Sequence, residues 1–252
     1  MKIDKVSIIM ASFNSEKYIV KALESIINQS YKDWECIIID DFSDDNSVKI
    51  IKNCIRSDKR FYMYSNKKNI GAGQSRNIGI SIAEGQFLTF LDSDDIWEPH
   101  HLERQILFMK SNKLTISHSH YGYINSKGDK LKEIFKVSLK KIGFKDLLLR
   151  PEMSCLTTII DISKTGKFYM SEDKRRQDYY LWLNLLKNGN FSRGFDHIGG
   201  YYRQHDNQPK KNLKYLYAHF HFLRSRIKLS LIDSFKYTLS YSIRGIFKYL
   251  HN

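Results

Sequence analysis

Residues 87–99 read FLTFLDSDDIWEP. Five apolar or β-prone residues run straight into Asp92, Asp94 and Asp95, and a Trp and a Pro then stop the chain. A segment with the composition of a buried strand therefore ends by crowding three carboxylates into four positions. Like charges held that close raise one another's pKa. The stretch predicts a positive partner at the end of that strand.

Working outward, the first hundred residues alternate between two periodicities. Apolar, β-branched runs at 6–11 (VSIIMA), 35–40 (ECIIID), 61–65 (FYMYS) and 86–91 (QFLTFL) read as strands. Helical spacing fills the gaps at 15–29, 44–55 and 72–85. Continuous apolar strands separated by helices imply an α/β fold with a parallel sheet covered on both faces. In such sheets ligands bind at the carboxyl ends of the strands. Three of those ends carry distinctive residues: SFN (12–14), DDFSDD (40–45) and DSDD (92–95). Beyond residue 99 the alternation loosens, with helices predicted at 99–110, 140–150 and 177–189, strands at 115–125 and 199–205, and helix from Leu213 onward.

Composition bounds the rest. The 252 residues, 42% hydrophobic, suffice for one α/β domain and an appendage, and three prolines argue against long linkers. Cys36, Cys54 and Cys155 are odd in number and widely spaced, which reads as reduced thiols of a cytosolic protein. No stretch approaches the ~18 apolar residues of a membrane span, and the first apolar run is too short for a signal peptide. The net charge of +14 is uneven: residues 1–100 hold 13 basic and 15 acidic side chains, so the excess lies in the second part. Such a surface suits something anionic, whether nucleic acid, acidic lipid or a phosphorylated ligand.

Three readings of DSDD compete. An Asp-rich helix N-cap explains one carboxylate, best Asp95, but not three. An EF-hand calcium loop needs ligands spread over twelve positions, and Ile96-Trp97 breaks it. In the third, one or two carboxylates hold a divalent cation whose shell a ligand's phosphates complete.

The segments VSIIMASFNSEKYIVKALESIINQSYKDWECIIIDDFSDDNSV and NIGAGQSRNIGISIAEGQFLTFLDSDD, with the later QDYYLWLNLLK, resemble family 2 glycosyltransferases, inverting sugar transferases of the nucleotide-sugar-binding GT-A fold. The resemblance is strong over 5–110 and fair over 150–205. It implies that Asp92-Ser93-Asp94 is the family's DxD pattern, with Asp92 and Ser93 on the nucleotide side and Asp94 on Mg²⁺ or Mn²⁺ bridging the diphosphate. Asp95 then supports the cluster from behind. Asp41 matches the acid that reads a uracil-like base, Ala11, Ser12 and Phe13 the turn lining the nucleotide, and Arg76 a position near the diphosphate. Asp40 and Asp41 read equally as caps of the helix that follows, and Arg76 as an exposed helix arginine.

An inverting transfer needs the acceptor hydroxyl deprotonated as it attacks. The resemblance assigns that task to Asp178 in RRQDYYLWLNLLK, where Gln177 stands in place of the commoner Glu; Glu172 and Asp173 compete. Trp182, one helical turn on, is placed either to offer a ring face to a sugar or to fill the core. Arg203 and His205 fall where the family often has a basic residue that helps metal or diphosphate. His118 and His120 share a strand face, but no third ligand is placed for a metal.

Residues 213–252 hold seven basic residues and one acid. Ile227, Leu231, Phe235, Leu239, Ile243 and Phe247 form one i,i+4 row, and Arg224, Lys228, Lys236, Arg244 and Lys248 another beside it. The apolar row either packs on the catalytic domain or a partner subunit, or lies on an anionic membrane.

The expectation is therefore a GT-A catalytic domain over 1–210, with a nucleotide-binding half (1–112) and an acceptor-binding half (113–210), followed by a basic amphipathic tail. It would move a hexose or N-acetylhexosamine from a UDP-sugar to a lipid-linked saccharide of O-antigen or capsule synthesis. Its place would be the cytoplasmic face of the membrane, without nucleic acid as a partner. A non-catalytic nucleotide-binding protein on the same fold is the chief rival; a nucleic-acid binder lacks any matching signature. A nucleotidyl transferase would release pyrophosphate instead of a nucleoside diphosphate.

Overall fold

The computed structural model describes residues 2–173, 175–205 and 213–250, with side-chain environments over 4–173, 175–205 and 214–243. The boundary expected at 210/211 and the side chains of Arg244, Phe247 and Lys248 lie outside the described residues.

In chain order the first part runs β1 (Lys2–Ser12), α1 (Ile19–Ile27), β2 (Trp34–Asp40), α2 (Ser47–Ile55), β3 (Phe61–Ser65), α3 (Ala72–Ile82) and β4 (Gly85–Phe90). There follow β5 (Ile96–Trp97), α4 (His101–Ser111), β6 (Ile116–Ile124), β7 (Lys130–Phe135), β8 (Lys141–Ile142) and α5 (Phe144–Leu149). The remainder is β9 (Ile159–Asp161), α6 (Ile162–Thr165), α7 (Gln177–Lys187), β10 (Ser192–Arg203), α8 (Leu213–Ser225) and α9 (Leu231–Leu250).

Among the described residues the strands form one sheet in the order β3-β2-β1-β4-β9-β6-β10-β5, with β7 on β6 and β8 on β10. The first four are mutually parallel. Their burial follows the two-residue period of a strand. Val6, Ile8 and Met10 of β1 join a core with Ile19, Leu23 and Ile26 of α1 and Ile106 of α4. Ile9 points the other way, into a core shared with Ile80 of α3 and the apolar side of α7. Both faces of the sheet are covered, as the unbroken apolar runs require.

The second part departs from a simple alternation. The three-residue β9 lies antiparallel between β4 and β6. The helix expected at 140–150 begins only at Phe144, because 141–142 pair with β10. The last strand starts at Ser192, earlier than its glycine-rich end suggests, and runs parallel to β6.

Two glycines of α3 govern how helices meet the sheet. A Cβ at Gly79 would lie 2.6 Å from Ile9 Cγ2, so only glycine lets α3 seat this closely on β1. At Gly73 a Cβ would lie 2.7 Å from Gln177 Cγ. The bare backbone there admits the first residue of α7 against the first turn of α3.

Trp182 is fully buried and meets Phe90 edge-on at 5.9 Å, so of its two readings the core one is observed. Its ring is enclosed among β4 and α7 side chains and offers no face to a sugar. Trp182→Ala should cost about 3–5 kcal/mol of unfolding free energy by denaturant titration. A variant of native stability that loses only acceptor binding would restore the sugar-facing role.

Candidate functional site

The strand ends converge as parallel pairing dictates. Ser12 pairs with Asp40 across β1 and β2, and the Asp41 N–H donates to Ser12 O at 2.7 Å. Ala11 and Ser12 are buried, and the Ser12 hydroxyl is 2.7 Å from that of Ser15, so they shape the turn from beneath. Phe13 is 49% exposed at its tip. Asp40 closes its own turn by accepting from Ser43 N–H and Oγ. Asp41 is buried and takes N–H bonds from Asn66 (2.9 Å), Ile70 (2.9 Å) and Gly71 (2.7 Å). It ties β2 to the loop that opens α3.

Phe42, which sequence reasoning passed over, is 56% exposed at φ +68°. A bulky residue in that left-handed region is strained. It stands beside Phe13 at the adjoining strand end, and DDF in the sequence was the sole sign of it.

Beyond β4, the three acids are held apart by arginines from distant elements. Arg76, on α3, is buried, not the exposed helix arginine of the alternative reading, and donates to Asp92 Oδ1. Burial disfavours its charge, yet Asp92 and Asp178 are among the groups that outweigh this and raise its pKa. Its Nε–H has no partner among the described residues. Asp95 is buried beneath the loop and accepts the Arg203 N–H at 2.8 Å. Its pKa is pushed well above the usual carboxylate range by burial, then by Asp94 and Asp92. Tyr202 feels the same field and is lifted to about 12 by burial and the three aspartates.

Arg203 itself is buried, and its guanidinium donates to the carbonyls of Asp94 (2.7 Å) and Asn125 (3.1 Å). It props the DSDD loop and does not face the cleft. His205 differs: its Nε2 lies 2.7 Å from Asp94 Oδ2, with both side chains partly open to solvent. Tyr18, another residue missed in the sequence, bridges the two ends of the site. Its ring meets His205 at 5.4 Å and lies under Arg203 at 4.6 Å.

Asp178 arrives from the far half of the chain. The contact of Gln177 with Gly73 brings the first turn of α7 against α3, one helical turn from Arg76. Asp178 accepts its neighbour Tyr179 N–H at 2.8 Å. Burial raises its pKa and Asp92 adds to the effect, against the pull of that N–H and Arg76. Its competitors lie elsewhere: Asp173 pairs with Arg226 at 2.7 Å, and Glu172 is exposed. His118 bonds Ser192 at 2.7 Å, and His120 accepts from Val137 N–H while facing Asp196. Both are engaged structurally.

Among the described residues no group of three His, Cys, Asp or Glu side chains is placed to hold a metal. Asp94 with His205 is a two-ligand set, oxygen and imidazole, that fits Mn²⁺ or Mg²⁺ only if phosphate oxygens and water fill the remaining positions. The arrangement joins a buried, proton-hungry carboxylate, a buried guanidinium and an open acid–imidazole pair at one sheet edge.

The glycosyl transferase family 2 profile matches residues 7–227. The Escherichia coli UDP-Glc:alpha-D-GlcNAc-diphosphoundecaprenol beta-1,3-glucosyltransferase WfgD is 37% identical over 188 residues, 74% of this chain and 72% of its own. WfaP of Escherichia coli, whose name carries the same activity, is 34% identical over 249 residues, 97% of this chain and 96% of its own. Among solved structures, S. aureus TarS 1–349 in complex with UDP-GlcNAc shares the fold at a TM-score of 0.70 and 20% identity, covering 93% of this chain and 70% of that one. A sheet edge of this chemistry, in a chain matched over nearly its whole length, belongs to glycosyl transferase family 2.

Proposed function

We propose that the chain moves a hexose or N-acetylhexosamine from a UDP-sugar to a hydroxyl of a lipid-diphosphate-linked saccharide, with inversion, in surface polysaccharide synthesis. The observation that carries the reading is the meeting of Asp178 with Arg76 and Asp92 across the two halves of the chain. The names of WfgD and WfaP supply the donor and acceptor class. Residues 1–112 are read as the nucleotide-binding half and 113–210 as the acceptor half.

In this reading Asp178 is the general base. A carboxylate with a raised pKa is a better proton acceptor, and it takes the acceptor hydroxyl's proton as the oxygen attacks the anomeric carbon. Attack from the face opposite the leaving UDP gives a β linkage from an α-configured donor. Asp94 and His205 would hold a divalent cation, which when bound stabilises the charge growing on the departing diphosphate. Arg76 holds Asp92 turned inward on the nucleotide side, beside Ser93. Asp41 retains acceptor capacity on Oδ2 for a base N–H, and Phe13 and Phe42 offer exposed rings to stack it.

Asp178→Asn should lower kcat by about 10²–10⁴-fold in a UDP-release assay. Because burial raises the folded pKa of Asp178, its stabilising contribution is present at low pH and lost as pH rises through that value. The neutral Asn escapes this loss, so the variant's melting temperature at pH 7 should not fall. In the wild type, kcat/KM should rise with pH through an inflection above the ordinary aspartate value of about 3.9. Unchanged transfer by Asp178→Asn would refute the base and favour a non-catalytic nucleotide-binding protein.

Thermal stabilisation by UDP should be larger with Mn²⁺ than without, and Asp94→Asn or His205→Ala should remove the difference. Equal shifts with and without metal would sink the cation's role.

The tail supports attachment to an anionic membrane. Ile227 is buried, but Leu231, Phe235, Leu239 and Ile243 of the same row are 44–65% exposed, and Ile232 beside them 79%. Over the described residues the row beyond Ile227 therefore stays largely open to solvent. No helix of the described residues is long and apolar enough to cross a membrane. The chain should sediment with phosphatidylglycerol vesicles and not with phosphatidylcholine, and Leu231→Ser/Phe235→Ser should abolish this. Retention by the double variant would remove the tail from the role.

A further inference from the structure

A second cavity, of about 710 Å³, opens between the turn preceding α7 and the helix α8. Arg175, Arg176 and Arg226 line it, with Asp173 as the single acid among its described lining residues. Asp173 Oδ1 already accepts both bonds from Arg226, at 3.0 and 2.7 Å. Among the described residues Arg175 and Arg176 thus have no carboxylate partner. Two uncompensated guanidinium groups facing one hollow are a poor arrangement for an empty protein and a good one for an anion of more than one charge.

The backbone is held in this arrangement against its preference. Arg176 sits at φ +64°, in the left-handed region, immediately before the first residue of α7. Its Nη1–H donates to His219 Nδ1 at 2.6 Å, and Nη2–H reaches Tyr215 O at 3.4 Å. Burial and Arg176 bring the His219 pKa down to about 3, so the histidine accepts as a neutral ring and supplies no competing charge. Strain of this kind persists where the surroundings enforce it, and it marks functional positions.

Position selects the anion. Arg176 precedes Asp178 by two residues, so their Cα atoms are at most ~7 Å apart. The groove therefore opens at the start of the helix that carries the proposed base. The walls are aromatic, from Tyr215, Tyr217 and Phe222, and α8 carries on its other side α9, joined through His219 and Tyr241 rings at 4.4 Å. The exposed apolar face of α9 belongs to the same helical layer.

We infer that this groove binds the diphosphate joining the acceptor saccharide to its lipid, with Arg175, Arg176 and Arg226 as donors. The sugar then projects toward Asp178 and the lipid leaves along the aromatic wall toward α9. The inference rests on the acceptor class proposed above.

Arg175 is exposed, and among the described residues its guanidinium approaches the Tyr215 ring alone, at 5.8 Å, so Arg175→Gln removes a donor without a structural bond. The full chain and this variant are titrated with inorganic pyrophosphate in saturating UDP and Mn²⁺. Both are then assayed on an alkyl-diphospho-GlcNAc and on the uncharged alkyl glycoside of the same chain length. Pyrophosphate should bind the variant about tenfold more weakly, and the preference for the diphosphate acceptor in kcat/KM should fall by a similar factor. Equal pyrophosphate binding by the two proteins overturns the inference, and so does an equal loss on both acceptors. Weaker pyrophosphate binding with neither acceptor used upholds the anion groove and sinks the acceptor class instead. If Arg175→Gln weakens sedimentation with phosphatidylglycerol vesicles and leaves the acceptor preference unmoved, the groove is a phospholipid headgroup site and the inference fails.

Discussion

Everything at the sheet's edge is arranged around the mutual repulsion of Asp92, Asp94 and Asp95. One of them is buried outright, and its neighbours raise its pKa. Arg76 takes hold of Asp92 from α3, while Arg203 steadies the loop from β10. The second arginine, though, spends its guanidinium on two carbonyl oxygens, and only its backbone N–H reaches a carboxylate. With Asp178 drawn in beside Arg76, the cluster stays short of positive charge. A preorganised deficit of this kind is what a cation and an anionic ligand together would fill.

The first hundred residues declared their fold because each local signal agreed with the final packing. Strand β3 occupies the residues its composition marks, β2 begins one residue earlier than its own, and β1 begins four residues earlier, at Lys2. Beyond β4 the long elements α4, β6 and α7 were legible, but the short ones were not, for a physical reason. Strand β9 is three residues long, β5 two, and β7 is a largely exposed KLKEIF, so each becomes a strand only through its partner. The site divides similarly. The acids were visible as strand-end clusters, but the meeting of Asp178 with Arg76 depends on Gly73 yielding room to Gln177, which no spacing reveals. Phe42 was hidden because its significance is a backbone angle, and Trp182 because an aromatic on an amphipathic helix reads the same inside or out.

The tail shows how periodicity misleads across a break. On paper, the row from Ile227 to Ile243 is one continuous stripe. In the structure it spans the turn after α8, where Lys228 has φ +62°, and the first thirteen residues of α9. Ile227 turns inward just after α8, whereas Leu231, Phe235, Leu239 and Ile243 are about half to two-thirds exposed. One sequence pattern thus splits between a buried anchor and an apolar surface left exposed.

The antiparallel insertion of β9 has a consequence for how such an enzyme diversifies. Because β4, β9 and β6 are joined in one ladder, the earlier and later parts of the sheet are welded instead of hinged. Rocking of one half against the other would break main-chain hydrogen bonds along a buried seam, so any closure over substrate falls to the loops. The spacing between the two reacting partners is then a property of the scaffold. New sugars and new linkages become accessible by rewriting rim segments, with the chemistry left undisturbed beneath them.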